Sequence, residues 1–166
     1  MDAPEFLPGS ASPREILDRL EARYRELFEA AGTRGGKPKI TLTGILDRWL
    51  RSPAPSEPEP MFTEFLKDVD ALVKELAEAL AGADAGERDA SALDAARIML
   101  ASKPVNEKSQ AEWYMVAAEF SFEALIPLIA PDTLKAIRDG YVRGTPKRVM
   151  FPRQRDLLKR MEQGLR

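Results

Sequence analysis

The sequence predicts an all-α protein, a helical bundle of six or seven helices that ends in a basic C-terminal arm and an amphipathic helix. In most segments the apolar residues recur three and four positions apart, a spacing that places them on one face of a helix. Glycine and proline mostly stand between these segments, as is usual at helix boundaries. Alternation typical of a β-strand occurs only at residues 40–43, so we expect at most one short strand.

The first helix is predicted over residues 13–31. Ser12 can cap it, Pro13 suits the first helical position, and Glu15 completes a capping box. Apolar residues then repeat at helical spacing as far as Gly32, a residue type that commonly ends helices.

The next part of the chain combines a loop, a helix and a linker. Residues 32–39 hold three glycines, a proline and three positive charges, a composition typical of a loop. A helix is predicted over residues 42–51. Residues 52–60 contain four prolines and predict an extended, polyproline-like linker.

The rest of the chain continues the helical spacing of apolar residues. It predicts five more helices, over residues 61–81, 88–102, 106–127, 131–139 and 152–164. Gly140 is expected to end the fourth of them, and residues 140–151, with two glycines and a proline, predict a connecting arm.

The charge is distributed unevenly along the chain. Residues 1–140 carry a net charge of −8, whereas residues 141–166 carry eight basic and two acidic residues, a net of +6. An acidic body with a basic end points to interaction with a partner. The organisation we expect is one compact domain with four parts: an N-terminal helical segment (1–51), the linker (52–60), a helical core (61–140) and the basic C-terminal arm and helix (141–166).

The helix predicted over residues 106–127 is apolar around most of its circumference. With 100° between successive residues, Glu112, Glu119 and Glu123 fall on one narrow polar strip. This strip is either the single line of a central helix that faces water, or an acidic groove that attracts cations from elsewhere in the fold.

The sequence contains neither cysteine nor histidine, which excludes several kinds of site. Disulfides, thiolate nucleophiles and histidine-containing zinc or di-metal sites cannot be built. The Ser-His and Cys-His pairs of nucleophilic catalysis are excluded as well. We therefore expect no cofactor, no metal and no enzymatic activity.

Residues 32–51 carry five positive charges and one negative charge. Together with the first helix they could form a helix-turn-helix-like unit that binds DNA. Against this, the loop is longer than the usual turn of three or four residues. The candidate nucleic-acid contacts are Arg34, Lys37, Lys39, Thr41, Thr43 and Arg48.

The helix predicted over residues 152–164 has an apolar arc between basic flanks. A helix of about twelve residues is marginal alone in water, so this arc needs a hydrophobic cover. The cover could be the body of the chain, a second copy of the chain, the groove of a partner protein, or a nucleic-acid backbone or anionic membrane surface. The candidate partner-binding residues are Arg153, Arg155, Leu157, Leu158, Lys159, Arg160 and Met161.

The leading interpretation is a non-catalytic protein–protein interaction module, an adaptor or regulatory subunit of a bacterial cytoplasm. It would bind another protein or a second copy of itself through amphipathic helices. The alternative is a DNA-binding regulator that uses residues 33–51 and the basic end. No apolar run reaches the roughly 18–20 residues of a membrane span, so we expect no membrane partner.

Overall fold

The computed structural model describes residues 11–33, 60–101 and 110–166. Within these ranges the chain is almost entirely helical and contains no strand, which confirms the all-α fold class. Six α-helices follow one another: α1 (Pro13–Thr33), α2 (Pro60–Ala81), α3 (Ala85–Leu100), α4 (Gln110–Ala118), α5 (Pro131–Gly144) and α6 (Pro152–Gly164). Two 3₁₀ segments, Glu119–Leu128 and Lys147–Val149, lie between them.

Two predicted elements are not covered by these ranges. The helix predicted over residues 42–51 and residues 52–59 of the predicted linker lie outside the described residues. Among the helices of the described ranges, none is both long and apolar enough to cross a membrane.

Helix α1 lies against α2 and α3. It begins as the sequence predicts, because the backbone N–H of Glu15 donates to the hydroxyl oxygen of Ser12 at 3.2 Å. Ile16 and Leu20 on its inner face are fully buried. Arginines on its flanks pair with carboxylates of the two neighbouring helices: Arg14 with Asp94 at 2.7 Å, Arg19 with Glu75 at 2.8 Å and Arg23 with Asp68 at 3.1 Å.

Two side chains satisfy the helix ends at the turn between α2 and α3. The carboxylate of Asp84 accepts the N–H of Glu87 at 2.8 Å. The guanidinium of Arg88 donates to the carbonyls of Leu80 and Ala81 at 2.8 and 2.7 Å. Because Asp84 is a strong N-cap, α3 begins at residue 85, three residues before the predicted boundary.

The helix predicted over residues 106–127 is an α-helix only in part. Helix α4 ends at Ala118, and the chain continues as the 3₁₀ segment Glu119–Leu128. Pro127 lies inside this segment, and in an α-helix its ring would clash with the carbonyl four residues earlier. A 3₁₀ helix turns about 120° per residue rather than 100°, so side chains beyond residue 118 point in directions other than those predicted.

Helix α5 is longer than predicted, and no connecting arm spans residues 140–151. The helix continues through Gly140 to Gly144, and a short 3₁₀ turn then leads into α6. Tyr141 and Met150 are buried, which holds this stretch against the body. Burial of two large side chains outweighs the penalty of about 1 kcal/mol for a glycine inside a helix.

Helix α6 has the predicted bounds and docks on the chain's own body. It packs most closely against the 3₁₀ segment Glu119–Leu128 and then against α5. Leu157, Leu158 and Met161 are buried in one hydrophobic cluster to which all six described α-helices contribute. The hydrophobic cover that this helix needs is therefore supplied within the chain.

Candidate functional site

An open groove lies where α6 runs beside the 3₁₀ segment Glu119–Leu128. It has a volume of about 560 Å³. We call it the α6 groove, and it is lined by Phe120, Glu123, Arg153, Asp156, Lys159, Arg160 and Gln163. Most of its lining thus comes from the basic C-terminal end of the sequence.

The spacing of residues along α6 explains which side chains line this groove. Arg153, Asp156, Arg160 and Gln163 are separated by three or four positions, so they share one face of the helix. The adjacent face is buried and carries Gln154, Leu157, Leu158 and Met161. One face of α6 therefore builds the core while the next presents charged side chains to solvent.

At one end of the α6 groove an arginine stacks on an aromatic ring. The guanidinium carbon of Arg153 lies 4.6 Å from the centroid of the Phe120 ring, within the distance at which a cation is attracted to the ring face. Phe120 itself is partly buried and packs against the hydrophobic core. The Phe120 ring is thus held in place by its packing against the core, whereas the Arg153 guanidinium over it remains exposed to solvent.

The other charges of the groove are weakly paired. Arg160 Nε and Glu123 Oε1 are 3.7 Å apart, and the two side chains are 54% and 38% exposed, so this pair adds little to stability. Within the described part of the chain, Arg153, Asp156 and Lys159 have no ion-pair partner. The groove lining carries three basic and two acidic side chains, and its Arg153 and Lys159 are available to an external anion.

Directly beneath the groove, a buried glutamate and a buried glutamine form a hydrogen bond. Glu119 is 3% exposed and Gln154 is 4% exposed. Gln154 Nε2 donates to Glu119 Oε2 at 2.9 Å, and Gln154 Oε1 accepts the backbone N–H of Phe151 at 3.0 Å. Both functional groups of the glutamine are therefore in use, one at the start of α6 and one on the 3₁₀ segment.

Two tyrosines lie close to the same carboxylate. Burial, followed by the nearby Glu119 carboxylate, raises the pKa values of Tyr24 and Tyr141 well above that of a free tyrosine. Both phenols therefore stay protonated at neutral pH. Glu119 is the centre of a polar group of side chains inside an otherwise apolar core.

The prediction that the three carboxylates share one strip is wrong for Glu119 and Glu123, the two whose side chains the structure describes. Glu119 is buried, whereas Glu123 lies at the surface in the α6 groove. The reason is the 3₁₀ geometry: four residues apart, two side chains differ by about 120° in direction, against about 40° in an α-helix. The side chain of Glu112 lies outside the described residues.

The predicted partner-binding residues of α6 divide into two groups. Leu157, Leu158 and Met161 are buried in the chain's own core, so they are not available to a partner in this conformation and that part of the prediction is corrected. The cationic side chains are exposed: Arg153, Lys159 and Arg160 line the groove, whereas Arg155 lies outside it. The predicted nucleic-acid contacts between residues 34 and 48 lie outside the described residues.

Sequence reasoning missed Phe120 and Gln154. Gln154 is the third residue of α6 after the N-cap Phe151, a position at which glutamine commonly accepts the N–H of the capping residue, so its role at the helix start could have been found. The contact of Phe120 with Arg153 carries no sequence signal, because it joins residues 33 positions apart on separate elements.

Among the described residues, no group of three or more carboxylates is arranged to hold a metal ion. Comparisons with protein-family models, with curated proteins and with solved structures find no match for this chain. Any inference about function therefore rests on the chemistry and geometry of the chain itself.

Proposed function

We propose that this protein is a non-catalytic protein–protein interaction module, an adaptor or regulatory subunit, whose α6 groove binds an acidic segment of a partner protein. The observation that carries the proposal is the exposed Arg153 guanidinium over the Phe120 ring, in a groove that also presents Lys159 and Arg160. Arginine and aromatic side chains are enriched among the residues that dominate binding energy at protein interfaces.

The charge of the chain favours an acidic occupant. The groove belongs to the end of the chain with a net charge of +6, while the remainder carries −8. This distribution of charge favours the approach of an acidic segment to the basic end. The charges would thus orient the acidic segment before it contacts the groove.

The dimensions of the groove favour a short segment. Its face on α6 runs from Arg153 to Gln163, which is about 15 Å of helix. A volume of about 560 Å³ holds a few side chains. A short acidic segment that lies along this length of α6 matches both values.

The proposal is tested with a fluorescein-labelled acidic peptide of about ten residues, long enough to span the groove, titrated with the full-length protein while fluorescence anisotropy is followed. Arg153→Ala removes the cation above Phe120 and is expected to raise Kd about five- to tenfold. Arg155→Ala is the matched control, because it removes the same charge from the same helix outside the groove. This control is expected to change Kd less than about twofold at physiological salt.

Equal effects of the two substitutions would contradict the proposal, since they would show a general response to charge. Two further arms distinguish other partners. Labelled duplex DNA, titrated at two salt concentrations, tests the DNA-binding alternative: tighter binding to DNA than to the peptide, with a steep loss of affinity in salt, would overturn the proposal. Sedimentation of the protein alone tests whether a second copy of the chain occupies the groove. If the protein forms a dimer that Arg153→Ala dissociates, the occupant is a second copy rather than an acidic segment of another protein, and the proposal is overturned.

A further inference from the structure

Two pairs of consecutive residues face each other across the junction between α6 and the 3₁₀ segment Glu119–Leu128. One pair is Glu119 and Phe120, and the other is Arg153 and Gln154. The inner members form the buried hydrogen bond, Gln154 Nε2 to Glu119 Oε2 at 2.9 Å. The outer members form the stacked contact of the α6 groove, with 4.6 Å between the guanidinium carbon and the ring centroid.

Apolar packing alone does not fix this junction. Leu157, Leu158 and Met161 hold α6 against the body, but hydrophobic burial has no directional preference and tolerates a small slide or rotation of the helix. All three residues also lie one turn or more beyond Arg153. Met150, three residues before Arg153, is also buried in the core, but this contact is equally non-directional, so the orientation of the first turn of α6 needs a directional constraint.

The Gln154 side chain supplies that constraint. A hydrogen bond depends strongly on distance and angle, and this side chain makes two of them, with the Glu119 carboxylate and with the backbone N–H of Phe151. Both polar residues are buried, so leaving either one unpaired is costly. The bond to Phe151 fixes the glutamine within the start of α6, and a movement of this turn would break the bond to Glu119 and carry Arg153 away from the ring.

We propose that Glu119 and Gln154 are positioning residues for the α6 groove: their buried hydrogen bond holds the first turn of α6 where Arg153 covers Phe120. The inference rests on the proposed function insofar as it concerns ligand binding. Its structural part stands separately, because stacking of Arg153 on Phe120 is measurable without any ligand.

The test compares three variants of the full-length protein. Gln154→Leu fills a similar volume but removes both hydrogen bonds. Glu119→Gln removes the charge and keeps an oxygen that can accept the N–H of Gln154. Ile16→Val is a mild truncation in the fully buried part of α1, which lowers stability away from the groove.

Two measurements are made on folded protein, well below the melting temperature of each variant. The first is the NMR chemical shift of the Arg153 side-chain protons, which the Phe120 ring current moves upfield when the two groups stack. The second is the Kd for the labelled acidic peptide. Gln154→Leu is expected to abolish the upfield shift and to raise Kd about fivefold, whereas Glu119→Gln and Ile16→Val keep the shift and stay within about twofold of the parent Kd.

An upfield shift that survives Gln154→Leu would overturn the inference. So would a loss of affinity in Ile16→Val as large as that in Gln154→Leu, because it would trace the effect to global stability. If Gln154→Leu does not fold, Gln154→Asn takes its place, since its side chain is one methylene too short to reach Glu119. If the parent protein does not bind the peptide, the proposed function fails, and the chemical shift alone decides the positioning role.

Discussion

At the scale of single residues, Glu119 is the most costly feature of the core. A carboxylate taken out of water must be compensated by hydrogen bonds or neutralised. Here Gln154 donates directly to it, and the tyrosines Tyr24 and Tyr141 lie close by. Such a network adds specificity when every member is satisfied and becomes costly when one member is lost.

The energetic coupling of Glu119 and Gln154 can be measured with a double-mutant cycle. Glu119→Leu and Gln154→Leu each remove one partner of the buried hydrogen bond, so each is expected to lower the free energy of unfolding by about 1–3 kcal/mol. The double variant leaves neither group of this pair behind. It is therefore expected to cost less than the sum of the single variants by about 1 kcal/mol or more.

Urea denaturation followed by circular dichroism gives these free energies. A cycle on the exposed pair Glu123 and Arg160 is the control, and its coupling should stay below about 0.5 kcal/mol. Additive effects of the two buried substitutions would show that Glu119 and Gln154 do not depend on each other.

At the scale of elements, α1 is fixed to α3 by a small group of ion pairs. Asp94 on α3 lies 2.7 Å from Arg14 Nη1 and 3.0 Å from Arg97 Nε. The hydrogen bond from Arg14 is the main cause that lowers the pKa of the Asp94 carboxyl below its usual value. The same arginine also pairs with Asp18 on α1 at 2.9 Å, so α1 and α3 share one cluster of charges.

The lowered pKa of Asp94 makes this contribution depend on pH in a defined direction. A carboxylate with a lower pKa in the folded state than in the unfolded state stabilises the fold above its unfolded pKa, near 4. This stabilisation is lost as the pH falls through the folded pKa. Asp94→Asn is therefore expected to lower Tm slightly at pH 7, by no more than about 3 °C because the charges are exposed, and its effect should shrink as the pH falls below about 4.

Thermal melts of the two proteins between about pH 2 and about pH 7 check this expectation, and the difference in Tm should narrow steadily as the pH falls below about 4. Glu64→Gln, at an exposed position of α2, is the matched control and should leave Tm unchanged throughout. A constant difference between Asp94→Asn and the parent at every pH would show that the carboxylate charge is not the cause.

At the scale of the whole molecule, α6 completes the core. Leu157 and Met161 are fully buried and Leu158 nearly so, in the same cluster as residues from all the other described α-helices. Its charged face adds the basic surface to a body of opposite charge. The same thirteen-residue helix thus stabilises the fold with one face and builds the proposed binding groove with the next.

Removing residues 146–166 is expected to abolish cooperative unfolding. Each buried leucine or methionine is worth about 2–5 kcal/mol, and a domain is stable by only about 5–15 kcal/mol in total, so the loss of three such residues is comparable to the whole stability. The truncated chain should show a broad thermal transition and bind a hydrophobic dye. The control is the full chain with Arg155→Ser and Lys159→Ser, two exposed changes on the same helix that should leave Tm unchanged. An unchanged Tm in the truncated chain would refute the role of α6 in the core.

The sequence by itself determined those features that depend on neighbours along the chain. These include the bounds of α6, the start of α1 at its Ser12 cap, the fold class and the separation of charge, because helix faces, caps and composition are local properties. Only the tertiary structure decided the rest: the 3₁₀ segment after Ala118, the extension of α5 past Gly140, and the burial of Leu157 in the chain's own core. Pro127 accounts for part of the first of these, but the end of α4 at Ala118, the extension of α5 and the burial of Leu157 depend on packing between distant elements, which overrides local preference when large side chains are buried. The α6 groove belongs to this second class, since Phe120 and Arg153 meet only after the 3₁₀ segment and α6 have packed together.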